Sequence, residues 1–243
     1  VCRVTIVDLR ALSASTGGSA ELTGYLARPE TPGPWPAVVV IHEAFGLDGV
    51  SRRHTDRMAG MGYLALAPDL FSDGGPKTCL AATLAALRSG QGKAYADIEA
   101  ARQWLLAQDG ASGKVGIIGF CMGGGFALMS VHNGFDVAAP NYGKLPADLD
   151  EAVAGACPVV ASYGGRDKAL RGSAAKLDEA LTRAGVVHDV KEYPAAGHSF
   201  LNDARNGPLL MRPMMRVLGV GPEPASAADA WQRIEAFFAS QLR

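Results

Sequence analysis

Val115-Gly116-Ile117-Ile118-Gly119-Phe120-Cys121-Met122-Gly123-Gly124-Gly125 is an apolar run that stops at a glycine, presents one cysteine and restarts in glycines. Gly119–Gly123 matches the G-x-S-x-G elbow pattern with sulfur in place of oxygen. A nucleophile on a sharp strand-to-helix turn has a strained backbone, and side chains two positions to either side would collide, so both flanks call for glycine. The following helix aims free N–H groups and its positive dipole end at that residue, which favours a thiolate or an oxyanion there. The same residues also describe a small cysteine packed on a glycine-rich turn. The flanking sequence decides between the two.

Ala37–His42 (AVVVIH) is almost continuously β-branched, the pattern of a strand buried on both faces of a parallel sheet. It runs into His42-Glu43-Ala44-Phe45-Gly46, which puts two ionisable groups where open α/β sheets place their sites. Further strands are predicted over Tyr63–Ala67, Val137–Pro140, Pro158–Gly164 and His188–Tyr193. Between them, helical spacing predicts helices over about Val50–Met61, Lys77–Ser89, Lys93–Gln108 and Ser173–Ala184, with a final one over about Ala227–Leu242. The helix after the elbow is expected to reach about Asn133, with His132 in its last turn, and His54 reads as structural. Val4–Leu9 and Leu22–Ala27, separated by Ser15-Thr16-Gly17-Gly18-Ser19, read as an antiparallel hairpin at the sheet edge. The alternation specifies a mostly parallel, doubly wound sheet in one domain spanning residues 1–243.

With 243 residues, 48% of them hydrophobic, the chain can bury a large core. Its 23 basic and 24 acidic residues are interspersed and sum to a net charge of −1, so neither nucleic acid nor a membrane surface is the expected partner. A small molecule is, with the protein as a monomer or small homo-oligomer. No apolar run approaches the roughly 20 residues of a membrane span, and the N-terminus lacks the order of a signal peptide. Cys2, Cys79, Cys121 and Cys157 are scattered, fitting neither a disulfide framework nor a zinc site, so a cytoplasmic setting is expected.

Cys121, Asp167 and His198 fall at predicted strand ends in the order nucleophile, acid, base, as in α/β-hydrolase triads. His198 can take the thiol proton and return one to a leaving group, and Asp167 can fix the imidazole tautomer. Asp167 also reads as a turn-former or a partner of Arg166, and Asp203 is a weaker rival for the acid because it ends no strand. The backbone N–H groups of Met122 and Ala44 are the expected oxyanion donors. His42 closes an apolar strand and reads as structural, whereas Glu43 needs a task or a partner because a buried carboxylate is costly. Gly46 stands four residues after His42, so this is no zincin motif, and no phosphate-binding loop is present.

His42-Glu43-Ala44-Phe45-Gly46, Ala67-Pro68-Asp69-Leu70, Gly119-Phe120-Cys121-Met122-Gly123-Gly124, Gly165-Arg166-Asp167 and Gly197-His198-Ser199-Phe200 together resemble the dienelactone hydrolase family. The resemblance spans most of the chain. It implies an α/β-hydrolase fold and a lactone or ester hydrolase that uses no cofactor or metal. By motif position it implies a triad of Cys121, Asp167 and His198, with Glu43 helping to form the thiolate, and a thioester intermediate. Family members acting on dienelactone hold its carboxylate with two arginines; here Phe71-Ser72-Asp73 and Asn202 occupy those stretches, with Lys77 and Arg205 the nearby cations. The departure points to a different, uncharged substrate. Phe45, Phe71, Tyr142, Phe200 and Asn202 are the candidate substrate contacts. The competing reading is a thiol redox or ligand-binding protein on a hydrolase fold without acyl transfer. Such a protein needs a reactive thiol but not an ordered Asp167–His198 pair.

Overall fold

In the computed structural model, which describes residues 3–207, 212–217 and 219–243, the alternating sequence forms one eight-stranded sheet. The chain runs β1 (Arg3–Asp8), α1 (Arg10–Thr16), β2 (Thr23–Arg28), β3 (Trp35–Ile41), α2 (Gly49–Gly60), β4 (Leu64–Pro68), α3 (Pro76–Ser89), α4 (Lys93–Leu106) and β5 (Ala111–Phe120). It continues with α5 (Met122–Met129), β6 (Val137–Asn141), α6 (Leu149–Val153), β7 (Val159–Gly164), α7 (Ser173–Arg183), β8 (His188–Tyr193), α8 (Arg212–Val217) and α9 (Pro224–Leu242). Cys2 lies outside the described residues.

The strand order is β1-β2-β4-β3-β5-β6-β7-β8, with β3 to β8 parallel and β1 and β2 antiparallel at one edge. The β-branched and alanine residues of β3, β4, β6 and β7 are buried almost throughout, as expected of strands covered on both faces. Two groups of helices supply that cover. α2 meets α9 through His54 and Trp231, while α4 packs against α1 and α3.

Three details differ from the sequence expectation. The two N-terminal strands pair as expected, but a seven-residue helix, α1, lies in their connection and ends at Gly17 in the left-handed conformation. Asp97 of α4 anchors that connection, accepting hydrogen bonds from Ser13 Oγ, Ser19 N and Ser19 Oγ. Helix α5 stops at Met129, so His132 lies beyond it, its ring Nε2 3.0 Å from the Ala152 carbonyl. Helix α9 starts at Pro224, earlier than its apolar stripe begins. Pro224 occupies the first turn, where its missing N–H costs nothing, and the Glu223 carboxylate caps Ser226 N.

Candidate active site

The centre of the sheet builds the elbow. Strand β5 ends at Phe120, and Cys121 then adopts φ 54°, ψ −114°, a left-handed conformation that non-glycine residues rarely hold. A Cβ on Gly119 would lie 1.9 Å from the Gly123 carbonyl oxygen, and one on Gly123 would lie 2.3 Å from the Ile41 carbonyl oxygen. The turn is thus held by contacts of backbone on backbone with nothing flexible to yield. Gly119→Ala is expected to destabilise the protein by about 4 kcal/mol or more, seen as a large fall in the urea midpoint. A near-native midpoint would mean that β5 and α5 can separate at no great cost.

Met122 is the first residue of α5, so its N–H has no carbonyl one turn back and points with the dipole toward Cys121. Ala44 N–H, in the turn after β3, likewise has no backbone partner among the described residues.

Asp167 and His198 arrive from the ends of β7 and β8. Asp167 starts a single 3₁₀ turn, and its Oδ1 accepts from Ala169 N at 3.1 Å. Its other oxygen, Oδ2, accepts from His198 Nδ1 at 2.5 Å, leaving Nε2 as the nitrogen available to Cys121. The two loops are fastened together by Arg166 N to Ala196 O and Gly165 N to Tyr193 O, both 2.9 Å. Burial pulls the His198 imidazole down, but its hydrogen bonds to Asp167 and to Cys121, with the negative charge of both, outweigh that and push it up to about 10. Asp203, the rival acid, instead forms a two-pronged pair with Arg53 at the surface.

Glu43 is 3% exposed, and its charge is met by three neutral donors. Ser199 Oγ donates to Oε1 at 2.7 Å, while Asn202 Nδ2 and Asn206 Nδ2 donate to Oε2 at 3.2 and 2.5 Å. All three lie just beyond His198, so Glu43 ties the end of β3 to the histidine loop. Ser199 itself holds a left-handed φ of 59°, a second strained residue at the site. His42 is buried; its Nε2 accepts from Leu70 N at 3.1 Å and its Nδ1 donates to the Glu43 carbonyl at 2.6 Å. Burial lowers its proton affinity, so it is a neutral strut.

A cavity of about 770 Å³ opens on Cys121, Met122, His198, Ala44 and Tyr142, with Leu84, Leu87, Leu145 and Leu170 as apolar wall. Of the five candidate substrate contacts, Tyr142 lines it, its ring edge-on to His198 at 5.3 Å. Phe71 and Phe200 do not: their rings are buried against His42 and against Tyr142 and Tyr193, where apolar bulk stabilises most. Asn202 is spent on Glu43. Phe45 lines a neighbouring cavity of about 1080 Å³ with Lys77 and Arg205, and the two cavities meet at Ala44. The cavity at Cys121 carries its own cations, Arg88 from the last turn of α3 and Lys144. The two arginine positions alone are therefore no guide to the charge the site accepts. Neither Arg88 nor Asn206 belongs to a motif that marks it in the sequence. Among the described residues no group of three or more His, Cys, Asp or Glu side chains could hold a metal ion, and no helix is long and apolar enough to cross a membrane.

Residues 22–242 match the model of the dienelactone hydrolase family. A Salmonella typhimurium protein described as "Putative carboxymethylenebutenolidase" is 32% identical over 239 residues, covering 90% of this chain and 83% of that protein. The carboxymethylenebutenolidase of Pseudomonas putida is 28% identical over 195 residues, or 76% of this chain and 83% of that one. Among solved structures, a Klebsiella pneumoniae protein described as "Putative Dienelactone Hydrolase" superposes with a TM-score of 0.78 at 27% identity, covering 98% of this chain and 99% of that one.

Proposed function

The chain belongs to the dienelactone hydrolase family, and from that premise we propose that it hydrolyses a lactone or carboxylic ester through Cys121, His198 and Asp167. The observation that carries the reading is the 2.5 Å hydrogen bond from His198 Nδ1 to the buried Asp167 carboxylate, with Nε2 left for the thiol. A thiol-based sensor has no use for that pair, which is why the hydrolytic reading is preferred to the redox one.

In this mechanism the Cys121 proton resides on His198 Nε2, and the thiolate sulfur attacks the substrate carbonyl carbon. The negative charge that develops on the carbonyl oxygen is received by the N–H groups of Met122 and Ala44. As the C–O bond breaks, His198 returns the proton to the departing oxygen, leaving an acyl thioester on Cys121. A water deprotonated by the same imidazole then attacks the thioester carbon; the C–S bond breaks, Cys121 leaves as the thiolate beside the protonated His198, and the acid departs past Arg88 and Lys144. Asp167 holds the imidazole in one tautomer and offsets its positive charge during both steps. Glu43, beside the oxyanion donor Ala44, is the fourth participant, assisting formation of the thiolate.

The test is to trap the intermediate. Mixing the protein with an aryl acetate and quenching within one turnover is expected to leave one acetyl group on the peptide containing Cys121, released by hydroxylamine. Turnover without such an adduct, or an adduct confined to Cys79 or Cys157, rules the mechanism out.

A further inference from the structure

Behind Glu43 stands a side chain that the mechanism leaves unused. His54, on α2, is buried, and its Nε2 is 3.0 Å from Asn202 Oδ1. The Tyr142 hydroxyl converges on the same oxygen at 3.5 Å. Asn202 turns its other end, Nδ2, to Glu43. The His54 ring lies nearly flat on Phe120, at 4.2 Å and 20°, and 5.4 Å from Trp231. Phe120 is the residue before Cys121.

We infer that His54 is a positioning residue: by donating its Nε2–H to Asn202 Oδ1 it fixes the carboxamide with the NH₂ end toward Glu43, and so holds the Glu43 carboxylate for the reaction. A carboxamide is nearly symmetric in shape and opposite in its two ends, while a carboxylate only accepts. Turned over, Asn202 would set a carbonyl oxygen against Glu43 Oε2, replacing an attraction with a repulsion inside a buried site. His54, at 3.0 Å, supplies the closer of the two donors that forbid this, the Tyr142 hydroxyl standing at 3.5 Å. Burial disfavours its charged form, so it is a neutral imidazole with its proton on Nε2. The charges facing it, Glu43, Asp203 and Arg57, partly offset one another. This inference rests on the reading that Glu43 takes part in hydrolysis.

Two substitutions separate donating from packing. His54→Phe keeps an aromatic ring on Phe120 and Trp231 but has no N–H, whereas His54→Gln loses the ring and keeps an N–H in reach of Asn202. With an aryl acetate, H54F is expected to lower kcat about tenfold with KM within about twofold, and H54Q to stay within about twofold in both. The Asn202 side-chain NH₂ resonances, assigned with N202A, are expected to shift or broaden in H54F and to hold in H54Q. Asn202→Leu, which removes the carboxamide and leaves every aromatic side chain of the cluster in place, should reproduce the kcat loss even if H54F folds poorly. The opposite order, with H54F like the parent and H54Q impaired, makes His54 a packing residue and overturns the inference. So does an NMR change in H54F with kcat untouched, since Glu43 would then be held for nothing. If the parent protein cleaves no ester at all, the hydrolytic reading fails on its own, and the resonances still decide whether His54 orients Asn202.

Discussion

Cys121→Gly is expected to abolish ester hydrolysis, lowering kcat/KM for an aryl acetate by about 10⁴-fold or more, while leaving the melting temperature equal to or above that of the parent. The first half follows from removing the sulfur proposed to attack the carbonyl and to be acylated. The second follows from the backbone. At φ 54°, ψ −114° a residue with a Cβ is strained by about 1–3 kcal/mol, and glycine is not. The added flexibility of glycine in the unfolded chain returns about 0.5–1 kcal/mol of this, and loss of the half-buried sulfur a little more. Calorimetry and steady-state kinetics on one preparation give both numbers. A clear drop in melting temperature would show the elbow to be relaxed, and surviving turnover would move the nucleophile elsewhere.

Asp167→Asn should cost about 10³- to 10⁴-fold in kcat. The amide can present its NH₂ to the imidazole, which then turns its proton to the face meant for Cys121 and can no longer accept the thiol proton. The carboxylate also helps to hold His198 up at about 10, so its loss has a second, separable signature in stability. A histidine raised in the folded state contributes stability that is fully present below its unfolded value of about 6.5 and is lost as pH rises through the folded one. The gap in melting temperature between parent and variant should therefore be widest below about pH 6.5 and close toward pH 10. A gap independent of pH would mean that Asp167 and His198 are not electrostatically coupled.

Much of the fold and of the site is legible in the amino-acid sequence, and the reason differs by element. The central strands announce themselves because burial on both faces demands unbroken apolar runs, as in Ala37–Ile41. The elbow is legible because a steric requirement leaves glycines at fixed spacing. Helix α1 is hidden between two strands, being short and having one fully buried residue, Ser13, so that no apolar stripe marks it. The end of α5 is unmarked because Ser130-Val131-His132 carry no stop signal and the first one, Asn133-Gly134, comes several residues after the helix has ended. At the site, Glu43 stands out as needing a partner. Which partners it has is not written along the chain, because Ser199, Asn202 and Asn206 reach it only through the path of the loop after β8. Phe71 and Phe200 mislead for a related reason: a motif fixes position along the chain, whereas the direction of a side chain is settled by the packing around it.

Where Cys121 sits is decided by residues other than Cys121. The carbonyls of Gly123 and Ile41 close on Gly119 and Gly123, and the residue between those glycines is carried to the mouth of the cavity whatever its side chain. Location and reactivity are therefore inherited separately: a change of the single atom at the tip of residue 121 alters the chemistry without disturbing the hinge that presents it, and a change in the hinge removes every chemistry at once. The socket can outlast the side chain it now holds.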